Sequence, residues 1–158
     1  MYIFVMRHGE AINSLYNDKQ RPLTELGISE SKKASVWLRN FEATHHIEIN
    51  NALVSPFLRA QQTFDKVNTL LSVENIAVSS DIVPTGDCHL AHDYINARYQ
   101  DQQNTSALLI VSHMPFVSYL IDALCGAHFS RIFSTGSLVC IDYDLSASQG
   151  KVIADFNP

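Results

Sequence analysis

Apolar and polar positions divide this chain into short apolar runs that stop abruptly at polar residues, alternating with longer stretches of helical repeat. Ile3-Phe4-Val5-Met6 runs straight into Arg7-His8-Gly9. A short apolar run closed by a glycine predicts a buried strand. Ala52-Leu53-Val54 stops in the same way at Ser55-Pro56, and Ala107-Leu108-Leu109-Ile110-Val111, in a run starting at 106, stops at Ser112-His113. Leu26, Ala34, Trp37, Leu38 and Phe41 share one face of a helix over 25–41. Thr24 is its candidate N-cap, Glu25 suits the positive end of the helix dipole, and Gly27 blurs where it starts. Phe57, Ala60, Phe64, Val67 and Leu71 step by three or four along a second helix, with Ser55 able to cap it and Pro56 suited to its first position. A third helix is expected over 88–102 with Leu90, Tyr94 and Ile95 inward. A fourth runs from Pro115 to Cys125 and stops at Gly126. Residues 42–51 read as loop, 75–83 as a weak strand, and Pro84-Thr85-Gly86-Asp87 as a turn. Strands at 137–143 and 151–156, joined by a hairpin loop at 146–150, complete the pattern. The alternation predicts an α/β three-layer sandwich, and the terminal hairpin makes its central sheet mixed though mostly parallel, flanked by helices.

Composition narrows the class. A length of 158 residues, 46% hydrophobic and 17% charged, fits a single domain over 1–158 with an ordinary globular core. A net charge of −5 argues against a general nucleic-acid binder. No apolar run approaches the roughly 20 residues that span a bilayer, and residues 1–9 are too short and too soon interrupted by Arg7 for a signal peptide. Three cysteines without CxxC spacing fit a reducing compartment, so the expected location is cytoplasmic. No exposed heptad argues for assembly, which leaves a monomer as the expectation.

The candidate chemistry lies where the strands stop. Buried charge is costly unless it is paired or meets an anion, so Arg7 beside His8 at a strand end calls for a partner. In open α/β sheets ligands bind beyond the carboxyl ends of the strands. If the strands ending at Arg7-His8, Ser55 and Ser112-His113 are parallel neighbours, Arg7, His8, Arg59 and His113 meet at one edge. Arg59 would sit in the first turn of its helix, where anions bind well. Two guanidinium forks match phosphate oxygens, and a neutral imidazole can be the nucleophile. Plainer roles stand beside these. Arg59 can pair with Asp65 or Glu42, His113 can cap the next helix, Arg21 can be a surface charge, and Asp87 can be a turn residue or N-cap. His89 and His92, three apart on one helix, could bind zinc, but no third ligand is obvious. Ser55 and Ser112 lack the GxSxG context of a serine hydrolase.

Arg7-His8-Gly9-Glu10, the run Ser55-Pro56-Phe57-Leu58-Arg59-Ala60-Gln61-Gln62-Thr63 and Ser112-His113 resemble the histidine phosphatase superfamily. The short length, Arg21-Pro22-Leu23-Thr24, Pro84-Thr85-Gly86-Asp87 and Val111-Ser112-His113-Met114-Pro115 resemble its SixA-type phosphohistidine phosphatases. The resemblance covers nearly the whole chain and implies a phosphoglycerate mutase-like fold. It implies transient phosphorylation of His8, with Arg7, Arg59 and His113 holding the phosphoryl group and Arg21 lining the substrate groove. It implies no metal and no other cofactor. Partners would be a phosphohistidine-containing protein such as a phosphotransfer domain, and phosphate or other oxyanions in the site, but neither nucleic acid nor membrane. Metabolite phosphatases of the superfamily protonate an alcohol leaving group with a carboxylic acid. Asp87 is the best-placed candidate for that role here. An imidazole leaving from phosphohistidine has a pKa of about 6.5, against about 15.7 for water as a model of an alkoxide-type leaving group, and needs far less help. The reading is therefore a phosphohistidine phosphatase. The alternatives are a small-molecule phosphomonoesterase or a non-catalytic phosphohistidine-binding module.

Overall fold

A computed structural model describes residues 1–13, 16–100, 107–127 and 131–158. Its strands are β1 (Tyr2–Arg7), β2 (Ile49–Val54), β3 (Asn75–Val78), β4 (Ala107–Ser112), β5 (Leu138–Asp144) and β6 (Gln149–Phe156). Its helices are α1 (Glu25–His45), α2 (Leu58–Leu71), α3 (Cys88–Tyr99) and α4 (Phe116–Cys125). The strands form one sheet in the order β3-β2-β4-β1-β5-β6. β1, β2, β3 and β4 pair in parallel, and β5 and β6 are antiparallel additions beside β1.

The period-two alternation of a strand explains the layers. On β1, Ile3 and Val5 face one way, and on β4 Leu108 and Ile110 join them under Ile95 of α3 and Leu120, Ile121 and Leu124 of α4. Phe4, Met6, Leu109 and Val111 face the other way, against Leu38 and Phe41 of α1 and Phe64 and Val67 of α2. With both faces covered, β1 and β4 have no polar face, which is why they read as unbroken apolar runs. The expected three-layer α/β sandwich with a mixed central sheet is what forms.

Several local expectations are corrected. Residues 42–51 are not a loop, because α1 continues to His45 and β2 begins at Ile49. The buried Glu42 joins the two elements: its Oε1 accepts from Ile49 N at 2.8 Å, and its backbone carbonyl accepts from Ile47 N. Leu26 is 53% exposed, since the first turn of α1 presents Gly27 to the sheet instead. α2 starts at Leu58 with Phe57 at the N-cap, so Ser55 is not its cap and Pro56 is not its first residue. β3 covers only Asn75–Val78, followed by a 3-10 turn at Ser80–Ile82. On α3 the inward residues are Ala91, Ile95 and Tyr99, while Leu90 is 62% exposed and Tyr94 is exposed too. Residues 101, 102 and 106, given to a helix and a strand by the sequence pattern, lie outside the described residues. Among the described residues, no helix is long and apolar enough to cross a membrane.

Candidate active site

β1, β4 and β2 lie side by side and parallel, so their carboxyl ends share one edge. Arg7 pairs with Ser112 in register at that edge. Beyond it His8 N donates to Ser112 O at 2.9 Å and Ser55 N donates to Val111 O at 3.1 Å. The imidazoles of His8 and His113 are both buried, with ring centroids 4.9 Å apart.

Two glycines bring β1 close to α1. A Cβ on Gly9 would lie 2.4 Å from Gly27 O, and a Cβ on Gly27 would lie 2.1 Å from Glu10 O. Neither position accepts a side chain without backbone movement. This close approach accounts for a glycine early in α1. Thr24 caps that helix as expected, accepting from Gly27 N at 3.1 Å, while its hydroxyl donates to the Glu10 carboxylate at 2.6 Å. Gly9 N donates to Thr63 Oγ1 at 3.0 Å, which ties the turn to α2.

Within this frame His8 Nδ1 lies 2.7 Å from Gly9 O. A carbonyl can only accept, so Nδ1 carries the proton and Nε2 presents a lone pair. Burial pushes the His8 pKa down to about 3; the Gly9 bond opposes the shift and the charges of Arg59, Arg7 and Arg21 reinforce it. His8 is therefore a neutral imidazole with a free-electron-pair nitrogen in a strongly positive surrounding. Burial likewise pushes His113 down to about 2, with His8, Arg59 and Arg7 adding to the shift and Asp18 opposing it.

Arg59, 4% exposed, lies in the first turn of α2, whose N-terminus has no side-chain cap and no acidic residue. Its Nε donates to His8 Nε2 at 3.1 Å. Its Nη atoms go to Asp18, at 2.6 Å to the backbone carbonyl and at 3.1 Å to the carboxylate. Its partner is thus neither Asp65 nor Glu42. Arg21 binds the same carboxylate at 2.9 Å and also donates to Ile12 O at 2.7 Å. Partial burial raises the Asp18 pKa, but the hydrogen bonds from Arg21 and Arg59 outweigh it and the carboxylate stays ionised. Arg7 donates through an Nη to Phe133 O, and its Nε is buried with no hydrogen-bond partner among the described residues. Burial lowers the Arg7 pKa, the nearby Glu30 raises it, and Arg59 lowers it.

The structure thus brings Arg7, His8, Arg59 and His113 together and joins Arg21 to them through Asp18. Asp87 caps α3, its Oδ1 accepting from His89 N at 2.8 Å and from Leu90 N at 3.3 Å. His92 Nε2 lies 2.6 Å from Tyr143 OH. Among the described residues, no group of three or more His, Cys, Asp or Glu is placed to hold a metal ion.

Sequence reasoning missed Asp18, Ser55 and Glu30. Ser55 Oγ lies 2.7 Å from His113 Nε2, and Glu30 accepts from Glu10 N and from Thr135 Oγ1, both at 2.8 Å. Only Ser55 carried a signal, as a hydroxyl at the end of an apolar strand.

A buried neutral imidazole beside two guanidinium groups and a second imidazole lies at the carboxyl edge of the parallel strands, an arrangement chemically suited to an oxyanion. The histidine phosphatase superfamily (branch 1) matches residues 3–80. The chain is 35% identical over 149 residues to the phosphohistidine phosphatase SixA of Escherichia coli K12, covering 94% of this chain and 89% of that one. It is 32% identical over 153 residues to a SixA homolog of Haemophilus influenzae, covering 94% and 92%. A solved structure of the protein histidine phosphatase SixA complexed with tungstate superposes with a TM-score of 0.86 at 33% identity, covering 98% of this chain and 96% of that one. The chain belongs to the histidine phosphatase superfamily, among its SixA-type members.

Proposed function

We propose that this protein is a phosphohistidine phosphatase that removes phosphoryl groups from phosphohistidine on a signalling or phosphotransfer protein. The observation that carries the reading is the His8 imidazole: its Nδ1 proton is committed to Gly9 O, and its Nε2 lone pair meets Arg59. In the first step Nε2 forms a bond to phosphorus as the P–N bond of a substrate phosphohistidine protonated on its other ring nitrogen breaks; its electrons go to the ring, which departs as neutral imidazole. Arg7 and Arg59 neutralise the equatorial oxygens, and His113 donates to one of them. In the second step water attacks phospho-His8 and the P–Nε2 bond breaks, returning neutral His8 and inorganic phosphate. Catalysis of this kind rests on positioning and on charge stabilisation rather than on strong acid.

Two further points support the substrate class. Asp87, the group best suited by sequence to protonate an alkoxide, has its Oδ1 engaged as the N-cap of α3. The SixA structure similar to this chain is a complex with tungstate, a tetrahedral oxyanion, which supports an oxyanion ligand for this protein. The same reading takes 1–158 as one histidine phosphatase domain, with Arg21 at the groove and a monomer as the working species.

Release of inorganic phosphate from a phosphohistidine-bearing phosphotransfer domain, measured beside release from a generic phosphomonoester with chelator present, tests the assignment. The proposal expects turnover of the phosphohistidine to exceed that of the ester by orders of magnitude. Equal or greater turnover of the ester would instead favour a small-molecule phosphomonoesterase. Tight phosphate binding without turnover of either would favour a binding module.

A further inference from the structure

Ser55 is completely buried at the carboxyl end of β2, and its backbone is anchored to β4 by the bond from Ser55 N to Val111 O. Its hydroxyl lies 2.7 Å from His113 Nε2 and, on its acceptor side, 3.5 Å from Phe57 N. His113 is itself buried, packed against Phe57 and His8 with ring centroids 4.8 and 4.9 Å away, and its Nδ1 has no hydrogen-bond partner among the described residues.

A neutral imidazole has one donor and one acceptor nitrogen, and a serine hydroxyl has one proton to give. Two arrangements fit the short Ser55–His113 contact. If Nε2 carried the proton, Ser55 would need another acceptor inside a closed pocket. Nδ1 would then turn a lone pair towards any arriving phosphoryl oxygen. If Ser55 donates to Nε2, the hydroxyl is used in both directions, accepting from Phe57 N and giving to His113, and Nδ1 keeps its proton. We infer that Ser55 is a positioning residue: its O–H donates to His113 Nε2 and fixes the tautomer whose Nδ1–H is offered to the phosphoryl oxygens. His113 then works as an oriented neutral donor rather than as a cation. The downward pKa shift of His113 from burial and from the neighbouring His8 and arginines accords with this.

This inference rests on the proposed function only in giving His113 a phosphoryl group to contact, and the test separates the two. Long-range 1H–15N correlation spectra of protein labelled with 15N-histidine read each ring's tautomer, with and without tungstate. In the wild-type protein His113 is expected as the Nδ1–H tautomer in both states. In Ser55→Ala the Nε2–H form is expected to appear, and phosphoryl transfer to His8 to slow by about 10-fold or more. That is short of the roughly 10²–10³-fold lost when such a donor is removed outright. Ser55→Thr, which keeps the hydroxyl, is expected to keep the Nδ1–H tautomer. An Nε2–H or imidazolium signal for His113 in the wild type overturns the inference, and so does a Ser55→Ala protein with unchanged tautomer and rate. The wild-type spectrum decides even if a variant misfolds. A wild-type Nδ1–H signal in a protein that does not hydrolyse phosphohistidine removes the substrate assignment and leaves the role of Ser55 standing.

Discussion

Arg59 Nε–H donates to His8 Nε2 across 3.1 Å. The nitrogen with the free lone pair and the guanidinium that would clamp phosphate are in contact before any oxyanion arrives. Both Nη atoms of Arg59 donate to Asp18. On the proposed mechanism a phosphoryl group entering here would replace both acceptors at once: its oxygens would take the Arg59 donors, and phosphorus the lone pair. Lysine keeps the charge but not the fork. Arg59→Lys is expected to slow phosphorylation of His8 by about 10²–10³-fold in rapid-quench measurements, with the fold intact by circular dichroism. A rate within a few-fold of wild type would mean that charge alone suffices.

The half-exposed carboxylate of Asp18 binds Arg59 and Arg21 together. On the proposed reading it occupies donors that an incoming oxyanion would take. Arg59 is buried but the Asp18 carboxylate is half in solvent, which screens the pair towards the surface range of about 0.2–1 kcal/mol, about 5-fold in affinity at its upper end. Asp18→Asn is expected to tighten binding of tungstate or inorganic phosphate by up to about 5-fold in calorimetric titration. Weaker binding would show instead that the carboxylate organises Arg59 for the ligand.

Acid stability follows from the two buried imidazoles. Folded His8 titrates at about 3 and folded His113 at about 2, against about 6.5 in an unfolded chain. Below pH 6.5 the unfolded chain takes up protons that the folded protein refuses, so stability falls as pH falls. Each group contributes a slope approaching about 1.4 kcal/mol per pH unit. Half-buried His92 shifts the same way. Asp18, also shifted down, acts in the same direction but loses its contribution only below the ordinary carboxylate range, outside this window. Urea denaturation between pH 7 and 4.5 is expected to show stability dropping steeply, and His8→Gln is expected to flatten the curve. An unchanged slope in that variant would place the proton uptake elsewhere.

The Gly9–Gly27 contact sets the position of the His8 backbone. A Cβ at Gly27 meets the Glu10 carbonyl at 2.1 Å, and both partners are backbone. Gly27→Ala is expected to lower stability by about 1–3 kcal/mol despite alanine's better helix propensity, and to cut turnover by displacing His8. A rise in melting temperature would contradict this packing.

The strand ends were legible in the sequence because β1 and β4 are buried on both faces, so nothing polar interrupts them until Arg7 and Ser112. The cluster of Arg7, His8, Arg59 and His113 follows once parallel order is assumed. What the sequence hid was tertiary. Ser-Pro is a helix-start signal, so Ser55 looked like a cap, and only the approach of His113 gives its hydroxyl another use. Asp18 sits in a stretch without period and gains meaning only from Arg59 and Arg21. On α3 the sequence pattern places Ile95 inward correctly but points Leu90 and Tyr94 inward as well, because the buried face continues through the small Ala91 rather than through those larger residues. Glu42 made a helix end look like a loop because its carboxylate serves Ile49 N rather than water.

The most direct test of the account is to trap the phosphoenzyme. The protein is mixed with a radiolabelled phosphohistidine phosphotransfer domain under chelation and quenched within milliseconds. The account predicts acid-labile, base-stable label on this chain, located at His8 and absent in a folded His8→Ala variant. Hydrolysis without label on His8, or turnover near wild type in His8→Ala, would contradict it.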